Sequence, residues 1–286
     1  MGSEMCIRDR SGSDGRDLKR PKTVVGNRRN SLPSCPPFAY GLDMTNLYDT
    51  IGLNYADLRR PDHRIASRIN HALGDAQSVL NVGAGAGSYE PLDRKITAIE
   101  PSIEMIKQRT ESDATIVQGV AEDLPFHDAE FDASMGVLTL HHWTDKDAGV
   151  KEMQRVTKGQ LVFLTFDPFA QWFWLADYFP ALEELDKWQM PQLGKFNEWL
   201  DEPIVEVVPI PADCTDGFLA AYWKRPEAYL DDRVRAAMSS FSAIGDLSDG
   251  IAKLAADLES GAWHRRYSNL SELNELDCGY RLVIGR

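Results

Sequence analysis

The apolar run Val79, Leu80, Asn81, Val82 opens into the spaced glycines Gly83, Gly85 and Gly87, and a second run, Ile96 to Ile99, ends on Glu100, 17 positions after Gly83. A strand ending in closely spaced glycines lets the backbone turn sharply and approach a ligand, because a side chain at any of the three would fill that space. An acid that ends the neighbouring parallel strand stands beside this bend. Its carboxylate is then placed to accept hydrogen bonds from the two hydroxyls of an adenosine ribose. These two runs point to a nucleotide-binding parallel sheet, against the plainer reading of a tight strand-to-loop turn next to a surface acid.

The loop narrows the choice of nucleotide. A dinucleotide fingerprint, G-x-G-x-x-G/A, asks for Gly or Ala where this chain has Ser88, and for a full helix whose N-terminus holds a pyrophosphate. Only 13 residues, Gly83 to Lys95, join the two strands, with Pro91 among them. That length is close to the minimum for a parallel crossover, so one helical turn is the most it accommodates. An adenosine bearing an uncharged or cationic tail asks less of that helix end than a pyrophosphate does. The spacing G-x-G-x-G therefore points to S-adenosylmethionine.

At 286 residues the chain is long enough for one large domain or one domain with an elaboration. It has no apolar run of about 18 to 20 residues and no secretory signal, so a cytoplasmic protein that spans no membrane is expected. The four cysteines include no C-x-x-C pair, and no metal site is expected. The net charge of -13 is uneven: residues 1–30 carry eight Lys/Arg against four Asp/Glu, which leaves -17 for the remainder. So acidic a body repels a phosphate backbone, and no nucleic-acid partner is expected.

Residues 1–43 are read as a disordered or non-native leader. They are rich in Ser, Gly, Arg and Pro without either apolar period, and the native chain is expected to start at Met44. A helix is expected from His63 to Leu73, with Asp62 as N-cap and Gly74 closing it. Strand-like runs at 78–82, 96–100, 115–118, 132–139 and 160–166 alternate with helices near 102–109 and 145–156, the pattern of a sheet covered on both faces. Residues 44–168 are read as the cofactor-binding core. Residues 169–286 are read as helical lid insertions, with a strand at 204–210 and a last one at 280–284. The fold class expected is α/β, a doubly wound, mostly parallel seven-stranded Rossmann-like sheet.

Together these segments resemble the class I S-adenosylmethionine-dependent methyltransferases, in particular the small-molecule branch that includes the quinone-biosynthesis C-methyltransferases. The likeness covers Tyr48 to Pro168 through VLNVGAGAG, AIEPS, QGVAEDLPFHDAEFD, MGVLTLHHWTD and LVFLTFDP in order. It implies that Gly83, Ala84, Gly85 and Gly87 lie along the methionine and ribose, with Glu100 on the ribose hydroxyls and Pro101 beside the adenine. It places Ala121 and Glu122 along the adenine edge. Carbonyls of Gly136 and Val137 would face the methionine ammonium, and Tyr48 and Tyr55 would fold over the cofactor. Two positions depart from the family pattern. Asn81 replaces the usual Asp or Glu near the ammonium, and Val120 replaces an Asp.

The activity implied is methyl transfer to a small-molecule acceptor. His141 is the candidate general base, weighed against a packing pair with His142 at a strand end. Asp216 reads as the N-cap of a helix after the turn at 211–217, or as a group facing the sulfonium. The aromatic residues between 168 and 200 read as a packed lid in preference to a ring-stacking site. Arg59 and Arg60 read as a solvated approach or as a site for an acidic acceptor. A noncatalytic S-adenosylmethionine-binding protein and a nicotinamide-dependent oxidoreductase are the competing readings. The sequence leaves the acceptor and the oligomeric state open.

Overall fold

The structure, a computed structural model, describes residues 58–110 and 112–286, all within one compact unit. The expectations for the leader and for Tyr48 and Tyr55 lie outside the described residues.

Helix α1, His63–Ala72, begins where Asp62 accepts a hydrogen bond from the Arg64 backbone N–H at 3.0 Å. Its spacing of four buries Ile65 and Ile69 on one stripe, and Gly74 follows it at φ +56°. The sheet strands are β1 (Ser78–Val82), β2 (Lys95–Glu100), β3 (Thr115–Gln118), β4 (Ala133–Val137), β5 (Leu161–Phe166), β6 (Ile204–Val207) and, after the short pair β7 (Ile210–Pro211) and β8 (Glu275–Leu276), β9 (Tyr280–Gly285). Their order is β3-β2-β1-β4-β5-β9-β6, with β9 antiparallel to both neighbours and the first five strands parallel.

Alternation along the strands sorts the core into two layers. Val79, Met135, Val162 and Leu164 join Ile65 and Ile69 in one cluster, while Leu80, Val82, Leu161 and Phe163 join Val150 and Met153 in the other. Successive strand side chains point to opposite faces, so a strand covered on both faces reads as a continuous apolar run. That is why β1, β2 and β5 were plain in the sequence. Helices α2 (Ile103–Lys107) and α3 (Lys146–Val156) follow β2 and β4, and Asp145 caps α3 by accepting from the Ala148 N–H at 3.0 Å.

The link between Gly83 and Lys95 stays within the one-turn limit: Tyr89 at φ +66° and Pro91 leave only turns and bends there. Three expectations need correction. β4 stops at Val137 because Leu138 turns to φ +52° and Leu140–His142 coil into a 3-10 turn. β6 stops at Val207, and β7 pairs instead with β8 in a separate two-stranded sheet. Nothing helical starts at Asp216: the chain makes turns until the 3-10 segment Pro226–Leu230.

Beyond β5 the aromatic residues pack mainly against one another. Trp174 meets Tyr178, Tyr229 and Trp263 edge-on at 5.8, 5.5 and 5.2 Å, and its indole N–H donates to the Trp223 carbonyl at 2.6 Å. Helix α4 (Ala181–Gln189) and helix α5 (Ser248–Glu259) belong to this layer.

Candidate functional site

Between β1 and β4 the strand order reverses, so the loops leaving their carboxyl ends diverge and open a crevice. A cavity of about 530 Å³ lies there. Asn81, Gly83, Ala84 and Gly85 from the β1 end, Glu100 and Pro101 from the β2 end, Ala121 and Glu122, and Val137 and His141 from the β4 end all line it. Gly87 and Gly136 do not. Gly87 lies against the Arg109 guanidinium, and Gly136 lies inside β4 against Phe163.

At Gly83 the protein itself excludes a side chain before any ligand arrives. Gly83 stands at φ +66°, and a Cβ there would lie 1.9 Å from Thr139 Oγ1. The space a side chain would take belongs to Thr139, which also accepts from the Trp143 indole N–H at 3.2 Å. Leu138 and Tyr89, both lining the cavity, hold left-handed backbone conformations that cost a bulky residue about 1–2 kcal/mol. Leu138 N–H donates to the Leu164 carbonyl at 2.8 Å, and Tyr89 is fixed through its hydroxyl as described below.

Glu100 is 6% exposed, and both its oxygens are already oriented: Oε2 accepts from Gly85 N–H at 2.8 Å and Oε1 from Ser102 N–H at 3.0 Å. Burial pushes its pKa up, opposed by those two N–H groups and by the charge of Arg109. Each carboxylate oxygen has a second lone pair, so the group remains able to accept from two hydroxyls. Asn81 Oδ1 is buried and meets no hydrogen-bond partner among the described residues. An unsatisfied buried acceptor on a residue that lines the cavity, a side-chain-free bend and an acid with spare lone pairs suit an adenosine with an ammonium-bearing tail. The absence of a helix after the glycines removes the pyrophosphate seat that a dinucleotide needs.

His141 and His142 lie against each other with ring centres 3.7 Å apart and planes tilted by 47°. Burial, with Lys146 and Arg59 nearby, pushes the His141 pKa down to about 3. The imidazole is therefore neutral near pH 7, and His141 Nδ1 meets no partner among the described residues. A conjugate acid that strong makes a weak general base. What His141 offers is an acceptor lone pair.

The other side of the cavity comes from segments that carried no motif. Leu185, Trp188 and Gln189 line it from one face of α4, at the three- and four-residue spacing of a helix, and Ala243 joins them from the short helix Ser239–Ala243. That spacing was the signal available in the sequence. Asp216 caps nothing. It is buried, receives Arg59 Nε at 2.8 Å and the Tyr89 hydroxyl at 2.7 Å, and so ties the turn at 211–217 to the loop after β1. Arg59 is thus held inside the site, while Arg60 is exposed.

Residues 80–164 match the family described as "Methyltransferase domain". The chain is 27% identical over 171 residues to 2-methyl-6-phytyl-1,4-hydroquinone methyltransferase 2, chloroplastic, of Oryza sativa, covering 53% of this chain and 47% of that protein. It is 40% identical over 82 residues to the ubiquinone/menaquinone biosynthesis C-methyltransferase UbiE of Stenotrophomonas maltophilia, 28% of this chain and 30% of that one. It thus spans about half or less of the length of these curated relatives. A crystal structure described as a putative methyltransferase from an antibiotic biosynthesis pathway of Anabaena variabilis is 34% identical, with a TM-score of 0.75 over 80% of this chain and 99% of that one.

Proposed function

Because the chain belongs to the S-adenosylmethionine-dependent methyltransferases, we propose that it methylates a small-molecule acceptor by in-line displacement between the β-strand ends and the helical lid. S-adenosylmethionine supplies a methyl already activated on a sulfonium. The acceptor atom donates its electron pair to that methyl carbon as the carbon–sulfur bond breaks, and S-adenosylhomocysteine leaves. The single observation that carries this reading is the doubly hydrogen-bonded Glu100 beside the glycine bend, both opening into one 530 Å³ cavity closed by α4.

The residues of the chain then have positioning work. Glu100 holds the ribose, with Pro101, Ala121 and Glu122 around the adenine, and the β4 end supports the methionine through the Val137 backbone. Leu185, Trp188 and Gln189 exclude water over the acceptor. His141, neutral and with Nδ1 meeting no hydrogen-bond partner among the described residues, accepts from an acceptor hydroxyl and orients it. Alignment of two reactants in this way contributes about 7–11 kcal/mol in favourable cases, so a strong base is not required. The relatives named for hydroquinone and for ubiquinone and menaquinone support phenols and hydroquinones as the first acceptors to try.

The test is a panel of small phenols, hydroquinones, amines and carboxylic acids assayed for S-adenosylhomocysteine release, with products identified by mass. A hydroxylated aromatic compound should give a product 14 Da heavier, the mass of a CH₂ group, roughly. Binding of S-adenosylhomocysteine with no turnover on any member would favour the noncatalytic binding protein instead.

A further inference from the structure

Asn81 takes the place where this family usually carries an acid, and the structure shows what surrounds the substitution. Its Nδ2 donates to Glu90 Oε1 at 2.9 Å. The other Glu90 oxygen receives Arg109 Nη2 at 2.5 Å, and Arg109 Nη1 reaches back to the Gly85 carbonyl at 3.3 Å. The ion pair is buried, with side chains 3% exposed at Arg109 and 7% at Glu90. Arg109 follows α2, and its guanidinium would lie 3.1 Å from a Cβ on Gly87. One network therefore spans the end of β1, the glycine bend and the end of α2.

The chemistry of the groups fixes the orientation of Asn81. An ionised carboxylate beside an arginine only accepts hydrogen bonds, so the amide must turn its nitrogen towards Glu90. Its carbonyl oxygen is then forced the other way, where it is buried and lacks a partner among the described residues, on a residue that lines the cavity. We propose that Glu90 and Arg109 are positioning residues that together replace the missing acid: Glu90 locks the Asn81 oxygen towards the ammonium of the bound amino acid tail, and Arg109 ties that lock to the glycine bend. The inference rests on the S-adenosylmethionine reading above. Glu90 acts through Asn81, since it is not itself part of the cavity lining.

Removing the Glu90 charge takes away the group that, among the described residues, dictates which way the amide points, and leaves Arg109 buried beside an uncharged partner. The nucleoside end of the ligand, held by Glu100 on the neighbouring strand, should not respond. Two ligands separate these ends: S-adenosylhomocysteine carries the amino acid, whereas 5′-methylthioadenosine is nearly the same nucleoside without it. Calorimetry of the full chain with both compounds tests the proposal, with circular dichroism to check folding. Glu90→Gln should weaken S-adenosylhomocysteine about tenfold or more, the scale of a lost hydrogen bond to a charged group, and leave 5′-methylthioadenosine within about twofold.

The exchange Asn81→Asp with Glu90→Gln supplies the rescue. It keeps one carboxylate in the network and gives it a neighbouring amide, so S-adenosylhomocysteine affinity should return to within a few-fold. Asn81→Asp alone crowds two acids together and should bind less well than the double variant. Equal weakening of both ligands in Glu90→Gln, or no rescue in the folded double variant, overturns the positioning role. Failure of the unaltered protein to bind either compound instead overturns the cofactor reading on which the role depends.

Discussion

The floor of the cavity and its roof are built by different means. The floor, at the carboxyl ends of β1, β2 and β4, is set by backbone conformation and by charge: left-handed residues at Gly83, Tyr89 and Leu138, and an acid held by the N–H groups of Gly85 and Ser102. The roof of α4 and the helix Ser239–Ala243 is set by side-chain volume, with Leu185, Trp188 and Ala243 facing the cavity. Backbone geometry tolerates few substitutions, whereas volume changes smoothly with side-chain size. A floor of that kind suits an invariant ligand, and a roof of this kind suits whichever acceptor it encloses.

The largest expected effect breaks the floor. Gly83→Ala combines a left-handed backbone with a Cβ 1.9 Å from Thr139 Oγ1. It should cost roughly 2–5 kcal/mol of folding stability and abolish measurable S-adenosylhomocysteine binding, read by denaturant unfolding and calorimetry. Removing the obstacle with Thr139→Gly should return part of that stability. A Gly83→Ala protein as stable as the parent would show that the floor is not fixed by its backbone.

The next effect concerns an exception within the roof. Asp186 on α4 is 5% exposed with Gln189 Nε2 at 3.0 Å, and burial pushes its pKa up to about 7. A carboxyl whose pKa is raised by folding contributes stability that is complete below the ordinary value of 3.8 and is lost as pH rises towards 7. At 1.36 kcal/mol per pH unit the loss is at most about 4 kcal/mol. Asp186→Asn should therefore be more stable than the parent at pH 8, with the gap closing as pH falls towards 4. A gap independent of pH would mean that the carboxyl ionises normally in the folded roof.

Smaller again is Glu100→Ala, which should weaken S-adenosylhomocysteine by about 1.5–3 kcal/mol while leaving KM for the acceptor little changed once cofactor saturates. Trp188→Ala should do the reverse at about 1 kcal/mol: the residue is 41% exposed and lines only the roof, so acceptor KM should rise and cofactor affinity should hold. Parallel changes in both constants, from either variant, would erase the distinction between floor and roof.

Legibility in the sequence follows the same division. The floor announced itself because its determinants are local: Gly83, Gly85 and Glu100 sit at the ends of two continuous apolar runs, and the two-sided burial of β1 and β2 makes those runs unmistakable. Asp216 was misread because an acid ahead of a predicted helix satisfies the local rule for a cap. Its actual partner, Arg59, lies 157 positions away and outweighs that rule. Glu90 drew no notice for a related reason, since its meaning depends on Arg109 arriving from the end of α2. The α4 contacts carried a helical spacing but no chemistry that distinguishes a roof from a core.

The most direct test of the account is a calorimetric titration of the full chain with S-adenosylhomocysteine, run beside a reduced nicotinamide dinucleotide and repeated on Glu100→Ala. The account predicts one-to-one binding of S-adenosylhomocysteine, weakened about tenfold or more by the substitution, and no heat from the dinucleotide. Silence with S-adenosylhomocysteine, or equal affinity in the parent and the Glu100→Ala variant, would contradict it.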